Sequence, residues 1–576
     1  MIADTPSVAQ QRPDRDERML RRWLTRPVVA GLVLLIAYVG LSFLNDERAY
    51  FVSDAGGRVT TIRAMERNGG FDLDLGYWAE QWDPNGVVHP VGNVGKVGER
   101  WVTVGTVPTL YLGYPLFALG GYRMMLLIPM LGAVACAFAV REMARRLRRE
   151  SRGWGAFWLV GLASPITLYA LEFWDHSVGV ALLAWGVILL WDALHDAVSW
   201  WRVGCAGLLF GMAITVRTEA FVYAGVAAAV YLAWYVTRTR AWGRTIGVGI
   251  LLACAILVPL AGNAGVEHAA LGHDLRTARA SGYAGGGEGH SRLDGRVELA
   301  AQSGTFLDGN TDSFTYVVSI VLALVLLYAA ARARGPDPRI AMIALAGAGL
   351  LYLQRFVSGW GFVPGLTAAT PLFAVGVVGI SRDRKHWPLY AVALVSLPFV
   401  WLLQPLGGIL PVWGGRYLLL TGVILVAAAA ADLVDYPGWF RNAMVGLAIV
   451  VTAYGVGWMS VRTHDVATAM ATVAHLDEPV VIARPDQFFN EAGWFARDQH
   501  WLSAQGATEE RKAAEVAKAS GAKEVAFVTI TPDTAPPDLG PYCKVKSRTV
   551  PFLVDDRMEI TTYRLGRKEG CDDRDE

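Results

Sequence analysis

The chain has 576 residues, of which 53% are hydrophobic and 18% are charged, and its mean hydropathy is +0.34. Apolar stretches recur through most of this length, which is typical of a polytopic membrane protein and not of a soluble globular protein. The formal net charge is +1, so the chain lacks the basic excess that favours binding to nucleic acid.

The first apolar stretch runs from about Pro27 to Phe43 and contains no charged residue. Its length is about that needed to cross ~30 Å of hydrocarbon. A cleaved signal peptide would have a shorter apolar core and a soluble domain behind it, whereas further apolar stretches follow here. We therefore expect a first membrane span, preceded by a cytoplasmic segment at residues 1–26.

Arginine-rich segments between the apolar stretches set the expected orientation, because such segments face the cytoplasm. Counting apolar stretches against this alternation gives about 13 spans, with the N-terminus inside and the C-terminus outside. The inner segments are Arg12 to Arg26, Arg141 to Arg152, Arg238 to Arg244, Arg332 to Arg339 and Arg382 to Lys385. The approximate span centres are residues 35, 130, 163, 186, 209, 228, 252, 323, 347, 370, 395, 425 and 450.

The expected fold is an all-α polytopic transmembrane helical bundle with a small C-terminal extracytoplasmic α/β domain. The bundle covers residues 27–460 and carries two large outer loops, at 46–121 and 262–314. The α/β domain covers residues 461–576, where the pattern predicts a strand at 480–483, a helix around 509–518 and a strand at 524–530. The later outer loop contains a glycine-rich run at 282–289, which we interpret as a lid over a bound donor.

The first outer loop opens with Asp54, directly behind the first span, and continues with further acids interleaved with aromatic residues. Aromatic rings beside carboxylates suit sugars, because the rings stack on C–H faces while the carboxylates accept hydrogen bonds from hydroxyls. The acids that follow Asp54 are Asp72, Asp74, Glu80 and Asp83. An apolar stretch at 107–117 then predicts a short helix along the outer interface, broken at Pro115.

Two polar groups fall at the outer ends of predicted spans, where charges usually face a cavity, a partner or a functional site. Glu172 to Ser177, with Asp175 and His176, joins the third and fourth spans, and Arg217 to Glu219 joins the fifth and sixth. The alternative to a functional role is that Arg217 and Glu219 pair only with each other. No His/Cys cluster has zinc spacing, and there is no Walker loop or serine nucleophile motif.

The five cysteines divide between the bundle and the tail. Three of them lie in apolar spans and are expected to be packing residues. Cys543 and Cys571 lie in the tail, where an oxidising compartment would allow a disulfide between them.

Taken together, these features resemble the GT-C superfamily of polyprenyl-phosphate-sugar-dependent glycosyltransferases. The resemblance covers about residues 25 to 460 and includes the late run Trp413 to Leu418, which contains Gly414-Gly415-Arg416-Tyr417. It implies that Asp54 is the catalytic carboxylate, and that the enzyme transfers a hexosyl or pentosyl group with inversion while Asp54 acts as general base. The acidic neighbour usual in the superfamily is replaced here by Ala55, which leaves Asp83 or Glu80 as candidates for a second acid.

The leaving lipid phosphate needs cations, and arginines near the outer ends of spans suit this role. The candidate residues for binding donor phosphate and substrate are Arg58, Asp175, His176, Arg217, Glu219, Arg355, Arg416 and Tyr417. A single phosphate needs no metal, whereas a diphosphate would favour a divalent ion, Mg or Mn, held by Asp54 and Asp83.

The resemblance implies a polyprenyl-phosphate sugar donor, a glycan or lipid-linked acceptor and a place in the bacterial cytoplasmic membrane, with mannose or arabinofuranose as the sugar. Two other classes stay open at this stage. A lipid or polysaccharide transporter or flippase would need charges in span interiors, whereas the charged residues cluster at span ends. A non-catalytic membrane scaffold would use the tail as its binding module.

Overall fold

The computed structural model describes residues 26–92, 94–103, 105–148, 153–272, 313–333, 338–358, 365–381, 384–403, 413–484, 488–491, 499–530, 537–552 and 556–566. The glycine-rich run at 282–289 and Cys571 lie outside these residues, as does the side chain of Arg355. The predictions made for them therefore stay predictions.

The helical part begins with an apolar helix and continues into the outer loop. Pro27 opens the first helix, where its missing N–H and fixed φ are tolerated. The elements in chain order are α1 (Pro27–Ser42), α2 (Ser53–Arg67), β1 (Val94–Val97), β2 (Arg100–Thr103), α3 (Val107–Met125), α4 (Leu127–Leu147), α5 (Trp154–Leu162), α6 (Ile166–Ala170), α7 (His176–Leu194), α8 (Trp200–Val216), α9 (Ala220–Thr239) and α10 (Trp242–Leu271).

The second half of the bundle follows the undescribed residues 273–312. Its helices are α11 (Ser313–Arg332), α12 (Arg339–Ser358), α13 (Leu366–Ala369), α14 (Phe373–Ile380), α15 (Trp387–Leu403), α16 (Leu419–Asp432) and α17 (Gly438–Val473). Single 3₁₀ turns at Arg384–His386, Arg416–Leu418 and Leu433–Asp435 flank α15 and α16. The predicted helical bundle is confirmed, and the predicted span centres fall in or beside these helices.

Within the described residues, six helical stretches are long and apolar enough to cross a bilayer. They are Leu127–Leu147, His176–Leu194, Ala220–Thr239, Trp242–Leu271, Arg416–Asp435 and Gly438–Val473. Five shorter apolar helical stretches lie at Pro27–Ser42, Trp200–Val216, Val321–Arg332, Arg339–Leu351 and Trp387–Leu403. The chain is multi-pass by this criterion, and the total of about 13 spans stays a prediction.

Two of the predicted spans are broken helices. Pro165 separates α5 from α6, and Pro371 separates α13 from α14. Proline lacks the N–H that would continue the helical ladder, and its ring disfavours helical geometry in the residue before it. Pro115 behaves differently, because α3 continues through it and breaks instead at Gly120 and Gly121, where Gly121 has φ of +67°. The predicted break at Pro115 is therefore wrong.

The C-terminal domain is a mixed five-stranded sheet. Its strands are β3 (Val480–Ala483), β4 (His500–Ser503), β5 (Glu524–Ile530), β6 (Tyr542–Phe552) and β7 (Asp556–Leu565), with helices α18 (Phe488–Glu491) and α19 (Ala507–Ala519). The strand order is β4-β3-β5-β7-β6, with β3 parallel to β4 and β5, and β7 antiparallel to β5 and β6. The predicted strand, helix and strand correspond to β3, α19 and β5.

The loop at residues 46–121 and the C-terminal domain share one apolar core. The Trp78 indole stacks on His500, with ring centroids 4.3 Å apart, and its Nε1–H donates to the Trp501 carbonyl at 2.9 Å. The Ser503 N–H donates to the Val88 carbonyl at 3.0 Å. The sheet is thereby fixed above the bundle next to the segment that carries Asp54.

Candidate active site

Asp54 occupies the first turn of α2. Val52 precedes this helix in extended conformation, and its backbone N–H donates to Oε1 of buried Glu172 at 3.2 Å. An aspartate in the first helical turn is stabilised by the positive end of the helix dipole. The Asp54 side chain keeps 34% of its surface exposed, so a ligand can reach the carboxylate.

Arg416 reaches Asp54 from the other half of the bundle. Gly414 and Gly415 have φ of +78° and +62°, which glycine adopts without a steric penalty. A side chain at Gly414 would also collide with Pro165, whose Cγ lies 2.5 Å from the position of an added Cβ. This turn directs the Arg416 guanidinium to Asp54, with Nη1 3.0 Å from Oδ2.

A second, buried set of charges supports this pair. The Asp175 carboxylate is fully buried and accepts hydrogen bonds from Arg58 Nη2 at 3.2 Å, Arg217 Nη1 at 3.1 Å and Thr106 Oγ1 at 2.7 Å. Arg58 also donates from Nη1 to the Asp54 carbonyl at 2.9 Å. The backbone at Asp54 is therefore tied to Asp175 through one guanidinium.

Arg217 extends the network to a further acid. Its Nε donates to Glu219 Oε1 at 2.9 Å, and His176 Nδ1 lies 3.5 Å from the same oxygen. The alternative that Arg217 and Glu219 pair only with each other is wrong, because Arg217 also binds Asp175. We name Asp54, Arg58, Asp175, His176, Arg217, Glu219 and Arg416 the charged cluster.

Aromatic rings enclose the cationic side of the charged cluster. The Arg416 guanidinium carbon lies 4.7 Å from the Tyr417 ring centroid and 5.7 Å from that of Trp174. The Arg217 guanidinium carbon lies 5.9 Å from the Tyr417 ring centroid. Rings at these distances attract the cations and leave fewer positions for water.

Three carboxylates of the charged cluster lie outside the apolar helices and have lowered pKa values. For Asp54, burial acts to raise the pKa, but Arg416, Arg58, Arg217 and His176 together bring it below its usual value. For Asp175, burial is likewise outweighed by Arg58 and Arg217, and the pKa is strongly lowered. For Glu219, Arg217 overcomes burial and lowers the pKa to about 2. All three acids are therefore ionised at neutral pH.

The predicted second acids lie elsewhere. Asp83 is buried in the core shared with the C-terminal domain, where its Oδ2 accepts hydrogen bonds from the Tyr77 hydroxyl and the Val88 N–H, each at 2.9 Å. Glu80 pairs with Lys96 at 2.6 Å on the surface. These contacts are structural ones, and the catalytic role predicted for Asp83 or Glu80 stays a prediction.

The described residues do not fit a divalent ion. Such an ion prefers several oxygen ligands, chiefly carboxylates. Asp54 is the partly exposed carboxylate of the charged cluster, whereas Asp175 and Glu219 are bound by arginines and Asp83 is bound by Tyr77 and Val88. Within the described part of the chain, no group of three or more His, Cys, Asp or Glu residues could hold a metal ion. No step is therefore assigned to a metal.

Sequence reasoning missed three contributors to the site. Glu172 was recognised only as part of a polar run, and Thr106 gave no signal apart from its place before a proline-containing helix. Asn490 gave no signal, since its role depends on the docking of the C-terminal domain.

Cys543 forms a disulfide, and its predicted pairing with Cys571 stays a prediction.

The C-terminal domain contacts the Asp54 helix through Asn490. A Cβ added at Gly56 would lie 1.7 Å from the Asn490 carbonyl oxygen, so only glycine allows this approach of two backbones. The short helix α18 thus rests on the first turns of α2. This contact fixes the C-terminal domain against the helix that carries Asp54.

Substituting Gly56 with alanine should force α18 off α2. Alanine raises helix propensity, so α2 itself should form, but the clash should destabilise the docked state by about 1–3 kcal/mol. Limited proteolysis of the purified protein should then cleave the C-terminal domain faster. Gly57→Ala is the matched control, because a Cβ at Gly57 meets Asn490 Nδ2 at an ordinary 3.4 Å. Equal cleavage of the two variants would contradict the close contact.

Comparison with known proteins gave matches among solved structures only. No family model and no curated protein match the chain. An Archaeoglobus fulgidus oligosaccharyltransferase, in complex with Zn and sulfate, is 12% identical with a TM-score of 0.45, covering 86% of this chain and 67% of that chain. ArnT from Cupriavidus metallidurans, bound to undecaprenyl phosphate, is 15% identical with a TM-score of 0.42, covering 94% and 98%.

Proposed function

We propose that this protein is a membrane glycosyltransferase. It transfers a sugar from a polyprenyl-phosphate donor to an acceptor hydroxyl of the cell envelope, on the outer side of the bacterial cytoplasmic membrane. The observation that carries the proposal is the contact between Asp54 and Arg416, at 3.0 Å. The contact joins a partly exposed carboxylate to a guanidinium, a group that can bind phosphate, and it supports both assigned roles.

The charged cluster supplies the two groups that the transfer needs. The acceptor oxygen attacks the anomeric carbon, and its proton goes to the Asp54 carboxylate as general base. The bond from the anomeric carbon to the phosphate oxygen breaks, and its electron pair stays on the phosphate. Arg416 binds the phosphate and stabilises this charge. Attack opposite to the leaving phosphate inverts the configuration of the sugar.

Arg416 and Asp54 exchange partners in this scheme. In the donor-free protein the guanidinium lowers the pKa of Asp54 and makes it a weak base. A donor phosphate that binds Arg416 brings negative charge beside Asp54, which raises the pKa of the carboxylate and releases it towards the acceptor. The base is thus activated when the donor is in place.

The remaining residues of the charged cluster hold the site in position. They are Arg58, Asp175, His176, Arg217 and Glu219. Their side chains are buried and bind one another, so they hold the segments that carry Arg416 and Asp54 in fixed positions. Tyr417 packs its ring against Arg416. In this scheme they are positioning residues, and the direct phosphate contact is assigned to Arg416.

Replacing Arg416 with lysine should weaken donor binding roughly tenfold, the scale of one lost charge-assisted hydrogen bond. An ammonium keeps the charge but cannot form the two parallel bonds of a guanidinium to phosphate. Binding and turnover of a polyprenyl-phosphate sugar by purified protein would measure this, with Arg416→Ala as the stronger variant.

Arg48→Lys is the matched control, because Arg48 is 49% exposed and pairs with Asp46 at the outer surface. It should bind donor like the parent. An Arg416→Lys protein with parental binding and turnover would show that only a positive charge is required. Movement of donor lipid across vesicles without sugar transfer would instead support the flippase alternative.

A further inference from the structure

A cavity of about 380 Å³ lies at the ends of α7, α9 and α15 that are remote from the charged cluster. Helix α7 has 19 residues, so the cavity is about 27 Å from His176 at the other end of that helix. Its walls include Trp191, Tyr231, Trp234, Arg238 and Lys385. Its volume is within the range of ~300–1,000 Å³ common for small-ligand sites.

Basic and aromatic side chains dominate this cavity. The Arg238 guanidinium carbon lies 4.6 Å from the Trp234 ring centroid, and Nη1 donates to the His195 carbonyl at 3.3 Å. Lys385 and His386 also line the cavity, and His386 packs on Trp191 with ring centroids 5.3 Å apart.

Two neighbouring acids already have partners. Asp192 accepts two hydrogen bonds from Arg146, at 2.9 and 2.7 Å. Asp196 pairs with His195 at 2.8 Å and keeps its side chain 92% exposed. Among the described lining residues, Arg238 and Lys385 carry formal positive charges and none carries a carboxylate.

Tyr231 provides an independent indication of a ligand. Its side chain is 1% exposed, and its hydroxyl has no hydrogen-bond partner among the described residues. A buried hydroxyl without a partner is destabilising, and few are left so in folded proteins. Because Tyr231 lines the cavity, a polar atom bound there can complete its hydrogen bonding.

We propose that this cavity binds a phosphate group. Arg238 and Lys385 neutralise its charge, the Tyr231 hydroxyl donates to a phosphate oxygen, and the indoles of Trp191 and Trp234 pack on its organic part. The phosphate belongs either to the headgroup of an anionic phospholipid or to a soluble phosphate ester. Basic pockets between helices on the cytoplasmic side suit anionic headgroups, and the arginine-rich segments around Arg238 and Lys385 are predicted to face the cytoplasm.

The full-length protein in nanodiscs tests this proposal without reference to catalysis. The melting temperature is compared in phosphatidylcholine alone, with added phosphatidylglycerol, and in phosphatidylcholine with soluble glycerol phosphate. Phosphatidylglycerol or glycerol phosphate should raise it by linkage. A combined Arg238→Gln and Lys385→Gln variant should lose roughly half or more of this rise, because it loses the charge-assisted contacts.

Tyr231→Phe distinguishes loss of ligand binding from a folding defect. It should reduce the ligand-induced rise, yet in phosphatidylcholine alone it should melt no lower than the parent, because it removes an unsatisfied hydroxyl. Arg244→Gln is the matched control, since Arg244 is an exposed arginine on the neighbouring helix α10 outside the cavity. It should keep the full rise.

Each outcome of the comparison either identifies the class of ligand or overturns the proposal. A rise with glycerol phosphate identifies a soluble phosphate ester as a ligand, and a rise with phosphatidylglycerol alone identifies a lipid headgroup. The proposal is overturned if neither compound raises the melting temperature of the parent. It is equally overturned if the cavity variants keep the full rise, or if Arg244→Gln loses as much as they do.

Discussion

Asp54→Asn is expected to lower kcat by about 100-fold or more while donor binding and folding are retained. Asparagine keeps the shape of the side chain and can still contact Arg416, but it cannot accept the proton of the acceptor hydroxyl. The measurement is sugar transfer by purified protein at saturating donor. Binding of donor to the same variant separates loss of the base from loss of the site.

Asp72→Asn is the control for this experiment. Asp72 lies in the same outer loop, and its side chain is 41% exposed and 3.6 Å from Arg100. Its change should leave turnover near the parental value. Near-normal transfer by Asp54→Asn protein would remove Asp54 from the catalytic role.

The acid limb of the pH profile gives a second test of Asp54. The pKa of Asp54 is lowered in the donor-free protein, mainly by Arg416 acting against burial. The carboxylate is therefore ionised above its lowered pKa and is lost as a base only when the pH falls through it. The ratio kcat/KM, which reports the free enzyme, should stay level on the acid side down to below the ordinary pKa of an aspartate.

Asp175→Asn is expected to destabilise the protein by about 3–5 kcal/mol. The Asp175 side chain is fully buried and is the common partner of Arg58 and Arg217. Without its negative charge, two buried guanidinium groups face each other without full compensation. The half-life of the folded protein on heating in nanodiscs should fall sharply, and donor binding should fall with it.

Asp435→Asn is the matched control for Asp175. Asp435 is 50% exposed and forms one ion pair with Arg148, at 2.8 Å. Exposed pairs of this kind contribute about 0–1 kcal/mol, so the variant should resemble the parent. An Asp175→Asn protein as stable as Asp435→Asn would mean that the buried arginines have other compensation.

Local patterns in the sequence were enough to predict the helical bundle, and they singled out Asp54, whose catalytic role stays a prediction. Apolar length identifies helices, and the alternation of arginine-rich segments assigns their ends to sides of the membrane. The same topology assigned Asp54 and Arg416 to one face, although they are 362 positions apart. The breaks before α6 and α14 were not predicted, although Pro165 and Pro371 lie at them.

Contacts between distant segments were not predictable in this way. The loop that carries Asp83 packs against the C-terminal sheet, and no local pattern in the sequence indicates this contact. The helix α3 continues through Pro115 and breaks at Gly121, whose positive φ depends on how α3 meets α4. Strand β6 alternates little and is largely exposed, so it carries too weak a pattern to be recognised.

The most direct test of the proposed function is a cryo-EM structure of the protein in nanodiscs with polyprenyl phosphate bound. The proposal predicts phosphate density beside the Arg416 guanidinium, with the Asp54 carboxylate released from its 3.0 Å contact and open to the outer cavity. Phosphate density away from the charged cluster, with the contact between Asp54 and Arg416 intact, would contradict it.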